Sequence, residues 1–282
     1  MKIFVTGGTG FIGCNFINAA IKNEHEIIAQ RRPGSQTRIK LAKQPIWIDR
    51  QLDGDFKAEL EACDVLVHLA AHTPNPPYAT LSECMYWNVH ASVKLIEQAV
   101  ESSVTKFLIT GTCFEYGSSA REYDFIHPAA ELKPVLSYPI SKASATIALT
   151  GCARLNNLQM EILRIFQVYG EGEAEQRFWP SLRKAALSGE DFRMSSGAQI
   201  RDFINVDDVV KSFIDALEFK EVINGKPQIR NIGTGKSQSL LDFAKFWWEK
   251  WEAKGKLMPG EIGLRPNEET RIVANIQDKY VC

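Results

Sequence analysis

Tyr138 and Lys142 stand four residues apart in Ser137-Tyr138-Pro139-Ile140-Ser141-Lys142, a spacing that puts both side chains on one face of a helix. Pro139 suits the first turn of such a helix. A phenol with an ordinary pKa of about 10 becomes a usable proton donor and acceptor near neutrality if an ammonium beside it stabilises the phenolate. Spacing alone does not single this pair out, so its context has to. Thr112 follows the apolar run Lys106–Thr110 and falls at the carboxyl edge of a strand, where ligands bind in open α/β sheets. Its hydroxyl can hold a substrate oxygen next to Tyr138 or, more blandly, cap a turn.

A second constellation is Thr6-Gly7-Gly8-Thr9-Gly10-Phe11-Ile12-Gly13. It follows an apolar run and opens an amphipathic one, the strand–turn–helix context in which glycines let the backbone approach a pyrophosphate at a helix N-terminus. Binders that prefer NAD place Asp or Glu roughly 20 residues further on, against the ribose 2′-hydroxyl. Between Glu26 and Asp49 this chain has no acidic residue, whereas Arg31 and Arg32 follow Gln30 directly. Guanidinium groups there can grip a 2′-phosphate bidentately, so NADP(H) is the expected cofactor, with NAD(H) second.

The elements that must position these residues are read from periodicity. Short apolar runs (Lys2–Thr6, Glu26–Gln30, Ile46–Ile48, Val65–Leu69, Lys106–Thr110, Glu161–Phe166) alternate with helix-like segments (Phe11–Lys22, Phe56–Ala62, Asn88–Ser102, Pro139–Asn156). Phe11, Ile12, Phe16, Ile17, Ala20 and Ile21 share one helix face, while Val65-Leu66-Val67 and Phe107-Leu108-Ile109 are continuous, as strands buried on both faces should be. The fold class is α/β, a Rossmann-type doubly wound parallel sheet. After Phe166 the rhythm changes, with helices expected near Pro180–Leu187, Val209–Phe219 and Leu240–Trp251 and a strand near Phe203–Val206. Residues 1–166 are therefore read as the dinucleotide-binding domain, carrying Tyr138 and Lys142. Residues 167–282 are read as a smaller substrate lobe interleaved with the last sheet strands, with ligands in the cleft between the two parts.

Composition closes off other classes. The 282 residues carry 33 Lys plus Arg against 34 Asp plus Glu, a net charge of −1, so no nucleic-acid-binding surface is expected. No apolar stretch approaches the roughly 20 residues of a membrane span. The run after Lys2 is too short for a signal peptide, so a cytoplasmic location is expected. The six cysteines are scattered singly without metal-ligand spacing, and neither a metal site nor disulfides are expected.

Five motifs occur in order: Thr6–Gly13, His68-Leu69-Ala70-Ala71, Gly111-Thr112-Cys113-Phe114-Glu115-Tyr116-Gly117, Ser137–Lys142, and Arg201-Asp202-Phe203-Ile204-Asn205-Val206-Asp207-Asp208-Val209. Over nearly its full length the chain resembles the extended short-chain dehydrogenase/reductases of the NAD-dependent epimerase/dehydratase family. The resemblance implies a Thr112/Tyr138/Lys142 catalytic set. It places Gly7, Gly10 and Gly13 on the pyrophosphate, with Thr9, Phe11 and Ile12 also binding the cofactor, Asp49 and Arg50 near the adenine, and Leu69, Ala70 and Ala71 along the cofactor. Lys142 would also hold the nicotinamide ribose, Asn88 would assist, and Thr112, Gln167, Arg201 and Arg265 would bind a nucleoside-diphosphate sugar. Cys113 and Phe114 replace the acidic residues of a 4,6-dehydratase, which disfavours dehydration. The expected activity is NADPH-dependent reduction of a nucleoside-diphosphate 4-keto-6-deoxyhexose, of the kind used in deoxysugar and O-antigen biosynthesis. A 4-epimerase with tightly bound NAD is the alternative, and a non-catalytic NADP-binding sensor a third reading. The resemblance also implies a homodimer pairing Asn88–Ser102 with Pro139–Asn156 across a two-fold axis, whereas the closing helix usual in the family after the segment Arg271–Lys279 is not expected, since this sequence stops at Cys282 before it.

Overall fold

The computed structural model describes residues 1–264 and 268–282. Each apolar run of the first half is a strand: β1 (Lys2–Thr6), β2 (Glu26–Arg31), β3 (Ile46–Asp49), β4 (Val65–His68), β5 (Lys106–Thr112) and β6 (Gln159–Ile165). Between them lie α1 (Phe11–Lys22), α2 (Lys57–Leu60), α3 (Leu81–Met85), α4 (Ala91–Glu101) and α5 (Ser137–Leu155). The helix expected over Asn88–Ser102 begins earlier, because α3 runs through a π-helical turn at Tyr86–His90 into α4. In α3 only Cys84 is buried, so there is no apolar stripe to read. The readable signal is a capping box, in which Thr80 accepts from the Glu83 N–H and the Glu83 carboxylate accepts from the Thr80 N–H.

Residues 167–282 form β7 (Gln167–Tyr169), α6 (Phe178–Ser188), β8 (Phe192–Met194), β9 (Ile200–Arg201), β10 (Phe203–Asn205), α7 (Val206–Ala216) and β11 (Gln228–Ile232). β12 (Gln238–Ser239), α8 (Leu240–Lys250), β13 (Leu257–Pro259), β14 (Arg271–Ile272) and β15 (Lys279–Val281) complete the chain. The main sheet has the order β3-β2-β1-β4-β5-β6-β11-β15. All its pairings are parallel except β11 with β15. The stretch after Arg271 ends in an edge strand, β15, antiparallel to β11.

Side chains alternate across this sheet. Ile3, Val5, Val65 and Val67 join α1 and α7 in one core through Ile17 and Phe213, whereas Phe4 and Leu66 join α4 and α5 in the other through Leu95 and Leu149. Each fully buried side chain of this size is worth about 1.5–3 kcal/mol of transfer free energy. That burial fixes the register, since a one-residue slip exchanges the two faces. A separate core of Leu182, Met194, Ala244 and Trp248 holds the lobe, backed by Phe203 stacked on Phe243 with centroids 3.9 Å apart. The strand order reverses between β1 and β4, which opens a crevice at their carboxyl ends.

Candidate active site

The crevice is a cleft of about 600 Å³, a size typical of ligand sites. At its floor the turn after β1 is packed too closely for side chains. A Cβ on Gly7, at φ +69°, would lie 2.7 Å from the Ala70 nitrogen, and one on Gly13 would lie 2.1 Å from the Gly7 oxygen. Gly10 caps α1 without a side-chain bond, and the first turn holds no acid. The helix therefore presents free N–H donors and its positive end to the cleft, a cradle for an anionic group. Gly7, Thr9, Gly10, Phe11, Ile12 and Gly13 all border it, as do Leu69, Ala70 and Ala71 opposite.

β1 is tied to β4 beneath this floor. The Thr6 hydroxyl accepts from the Ala70 N–H and bonds His68 Nδ1 at 2.7 Å, and His68 Nε2 reaches Ser92 Oγ at 3.0 Å. Burial, with the charge of Lys142 nearby, pushes His68 down to about 3, so it stays neutral and structural.

Where β2 ends, Arg31, Arg32, Ser35 and Arg38 border the cleft. Arg31 is forked onto Asp49 (2.8 and 3.1 Å) and lies over the Trp47 ring. Arg32 has no ion-pair partner among the described residues and is exposed. Asp49 and Arg50 do not border the cleft: Asp49 holds Arg31, and Arg50 turns away to Glu59 at 3.2 Å. Gln51 and Leu52 border it in their stead.

The reacting end is built by β5 and α5. Thr112 and Tyr138 both border the cleft and are nearly buried. The Thr112 hydroxyl accepts weakly from the Phe114 N–H, which leaves its own proton to donate outward. Lys142 lies behind, on the same helix face, and donates to the Thr110 carbonyl at 2.7 Å. It does not border the cleft, and burial lowers its pKa. Burial holds the Tyr138 phenol well above its ordinary value, reinforced by Glu115, while the cation that acts the other way is Arg177.

Sequence reasoning missed the support beneath Thr112. Glu115 Oε1 accepts from the Thr112 N–H, and Glu115 Oε2 accepts from Thr146 Oγ1 and from Arg164 Nε, each at 2.8 Å. Arg164 also donates to the Tyr116 hydroxyl (3.0 Å), which donates to Asn231 (2.6 Å). This buried network joins β5, β6, β11 and α5. Asn88, in the π-helical turn, accepts from the His72 N–H and donates to Ser141 beside Tyr138.

A parallel sheet of this order, a glycine turn that excludes side chains and a Thr–Tyr–Lys set at the facing strand end agree with the family comparison. The model of the NAD-dependent epimerase/dehydratase family matches residues 3–233. The chain belongs to that family. It is 26% identical to CDP-abequose synthase of Salmonella muenchen, over 97% of this chain and 89% of that protein. Among solved structures, UDP-N-acetylglucosamine 4-epimerase of Methanobrevibacter ruminantium M1 superimposes with a TM-score of 0.86 at 24% identity, covering 98% of this chain and 89% of that one. MoeE5 in complex with UDP-glucose and NAD gives a TM-score of 0.83 at 25% identity, covering 98% and 90%.

The remaining positions of this epimerase/dehydratase family member sort as follows. Gln167 borders the cleft from β7. Arg201 does not: it is buried against Glu268 at 3.0 Å. Arg265 lies outside the described residues. Asp202, fully buried, accepts from the Thr234, Gly235 and Ala274 N–H groups and so knots the end of β11 to the lobe. Cys113 is buried with its thiol pushed up to about 12, and Phe114 borders the cleft, so neither position next to Thr112 supplies an acid or a base. Among the described residues no cluster of His, Cys, Asp or Glu fits a metal, and no helix is long and apolar enough to cross a membrane.

Proposed function

We propose that this protein is an NADPH-dependent reductase of the 4-keto group of a nucleoside-diphosphate 4-keto-6-deoxyhexose. The observation that carries this reading is the basic wall at the end of β2, where Arg32, Ser35 and Arg38 border the cleft beside Arg31. A 2′-phosphate suits such a wall, and a consumable NADPH suits net reduction. The glycine turn and the α1 N-terminus would hold the pyrophosphate, with Ala70 and Ala71 along the dinucleotide. When bound, that dinucleotide supplies a hydride.

The chain's own residues do the rest. Thr112 donates a hydrogen bond to the keto oxygen and aligns it. Tyr138 gives that oxygen a proton, and its burial raises the cost of the phenolate, which favours the proton-bearing form before reaction. Lys142, tied to the Thr110 carbonyl, fixes the α5 face that carries Tyr138 and places a positive charge behind it. Phe114 offers no general base, consistent with reduction and not dehydration. The similarity to CDP-abequose synthase over 97% of this chain supports a deoxysugar substrate.

A 4-epimerase that retains NAD is the second reading, favoured by the likeness to MoeE5, a protein found with UDP-glucose and NAD. We also infer a soluble homodimer, because Leu81, Tyr86, Ile147 and Leu155 are exposed on the α3–α4 and α5 helices. Sedimentation at micromolar concentration tests that inference, and a monomer refutes it. Incubation with NADPH and CDP-, dTDP-, UDP- and GDP-linked 4-keto-6-deoxyhexoses, followed by product NMR, tests the reaction. NADPH oxidation with a new C4 carbinol supports reduction. Purified protein carrying stoichiometric NAD and interconverting C4 epimers overturns it in favour of the epimerase.

A further inference from the structure

One wall of the cleft has no role in the scheme above. The loop from Gly170 to Arg177, between β7 and α6, folds back over the start of α1. Asn15 Nδ2 donates to the Glu171 carbonyl at 3.1 Å, and Gly172 lies against Ile39, Arg38 and Phe11. This contact brings Glu173 and Arg177 to the cleft.

Glu173 is 95% buried at its side chain, since only 5% is exposed. Its Oε1 accepts from Arg177 Nε at 3.2 Å, but its Oε2 is buried with no hydrogen-bond partner among the described residues. A buried carboxylate oxygen without a donor weakens the fold, so its retention on a cleft wall calls for a donor that arrives with a ligand. Phosphate cannot fill that role, being an acceptor and an anion, whereas a sugar hydroxyl can. We propose that Glu173 is a specificity-determining residue whose free oxygen accepts a hydrogen bond from a sugar hydroxyl of the bound ligand, while Arg177 holds its other oxygen.

The inference rests on the dinucleotide and nucleotide-sugar reading above, and both ligands present such hydroxyls. The loop reaches Phe11 at one end, and the Arg177 charge is felt by the Tyr138 phenol at the other. Burial raises the Glu173 carboxyl to about 7 against the opposing pulls of Arg177 and of the Gly170 backbone, so a ligand hydroxyl also compensates a charge the fold alone holds poorly.

The test measures Kd by calorimetry at pH 7.5 for NADP⁺ and, separately, for CDP-, dTDP- and UDP-glucose. The parent, Glu173→Gln and Glu173→Ala are compared, with thermal melting of each protein free of ligand. Glu173→Ala should weaken the dinucleotide, the nucleotide sugar or both by about tenfold or more, and the arm affected identifies the sugar that is read. Glu173→Gln, which keeps an acceptor oxygen without the charge, should fall between. The melting temperature of Glu173→Ala should equal or exceed that of the parent, because a buried carboxylate oxygen without a donor has gone. Affinities within twofold of the parent in both arms overturn this inference alone, as does a lowered melting temperature with unchanged affinities, which marks a structural role. A parent that binds neither class overturns the proposed function as well.

Discussion

Replacing Glu115 by Ala removes the one carboxylate among the described residues that pairs with Arg164. Both residues are buried, with 0% and 2% of their side chains exposed, and the change also deprives the Thr112 N–H and the Thr146 hydroxyl of their acceptor. Breaking a buried ion pair by deleting one partner costs about 3–5 kcal/mol, because the surviving charge is left without compensation. At roughly 2–4 °C per kcal/mol for a chain near this size, the melting temperature should fall by about 10 °C. Scanning calorimetry in 0.1 and 1 M NaCl measures it, and the fall should be equal at both, since salt does not screen a pair sealed from solvent. The double replacement Glu115→Leu with Arg164→Met removes both charges and should recover most of the loss, as a well-packed apolar pair can match a buried ionic one. A Glu115→Ala protein melting within about 2 °C of the parent would refute the claim that this pair carries the strand junction under Thr112.

Three further outcomes are expected. Tyr138→Phe should lower single-turnover hydride transfer by roughly 10²–10⁴-fold while leaving NADPH affinity unchanged, and Thr112→Val should cost about tenfold, one hydrogen bond; an unchanged transfer rate for Tyr138→Phe rules out its role as proton donor. NADPH should bind more tightly than NADH, and Arg31→Ala with Arg32→Ala should erase the preference, worth about 1.5–3 kcal/mol for a charge-assisted contact; because Arg31 is already forked onto Asp49, Arg32→Ala alone should account for most of it, and equal affinities in the parent would refute the idea. The carboxyl of Glu173 is raised from 4.5 to about 7 in the folded chain, so the folded state binds the extra proton across that window and stability falls as pH rises through it, by on the order of 3 kcal/mol; urea titrations at pH 5 and 8 should show this decline for the parent and a smaller one for Glu173→Gln, and identical declines would contradict it.

The sheet and the floor of the site were legible in the order of residues alone. Runs such as Val65-Leu66-Val67 are apolar at every position because both faces of β4 are covered, and that local signal does not depend on which helices cover them. The glycines at 7 and 13 are equally legible, since their spacing in one turn between a strand and a helix is a local pattern, although the backbone that excludes a side chain at Gly7 is that of Ala70, beyond β4. The direction of individual charges could not be read the same way. Arg31, Asp49 and Arg50 are all polar residues at strand ends, but only the parallel register of β2 with β3 sets Asp49 beside Arg31 and so spends one guanidinium on a neighbouring strand. Arg201 stands in a recognisable motif, yet its partner Glu268 comes from 67 residues away.

The environment of the reacting groups is set by packing between elements far apart in the chain. Glu115 and Arg164 are 49 residues apart and meet because β5 and β6 are neighbours. Glu173 and Arg177 reach the Tyr138 cleft because the lobe folds back over α1. Pairings of this kind leave no periodicity in the chain, since a charge buried between two elements looks, residue by residue, like a charge on either surface; its partner and its solvent exposure are properties of the packed molecule, and they set whether it stabilises, binds or titrates.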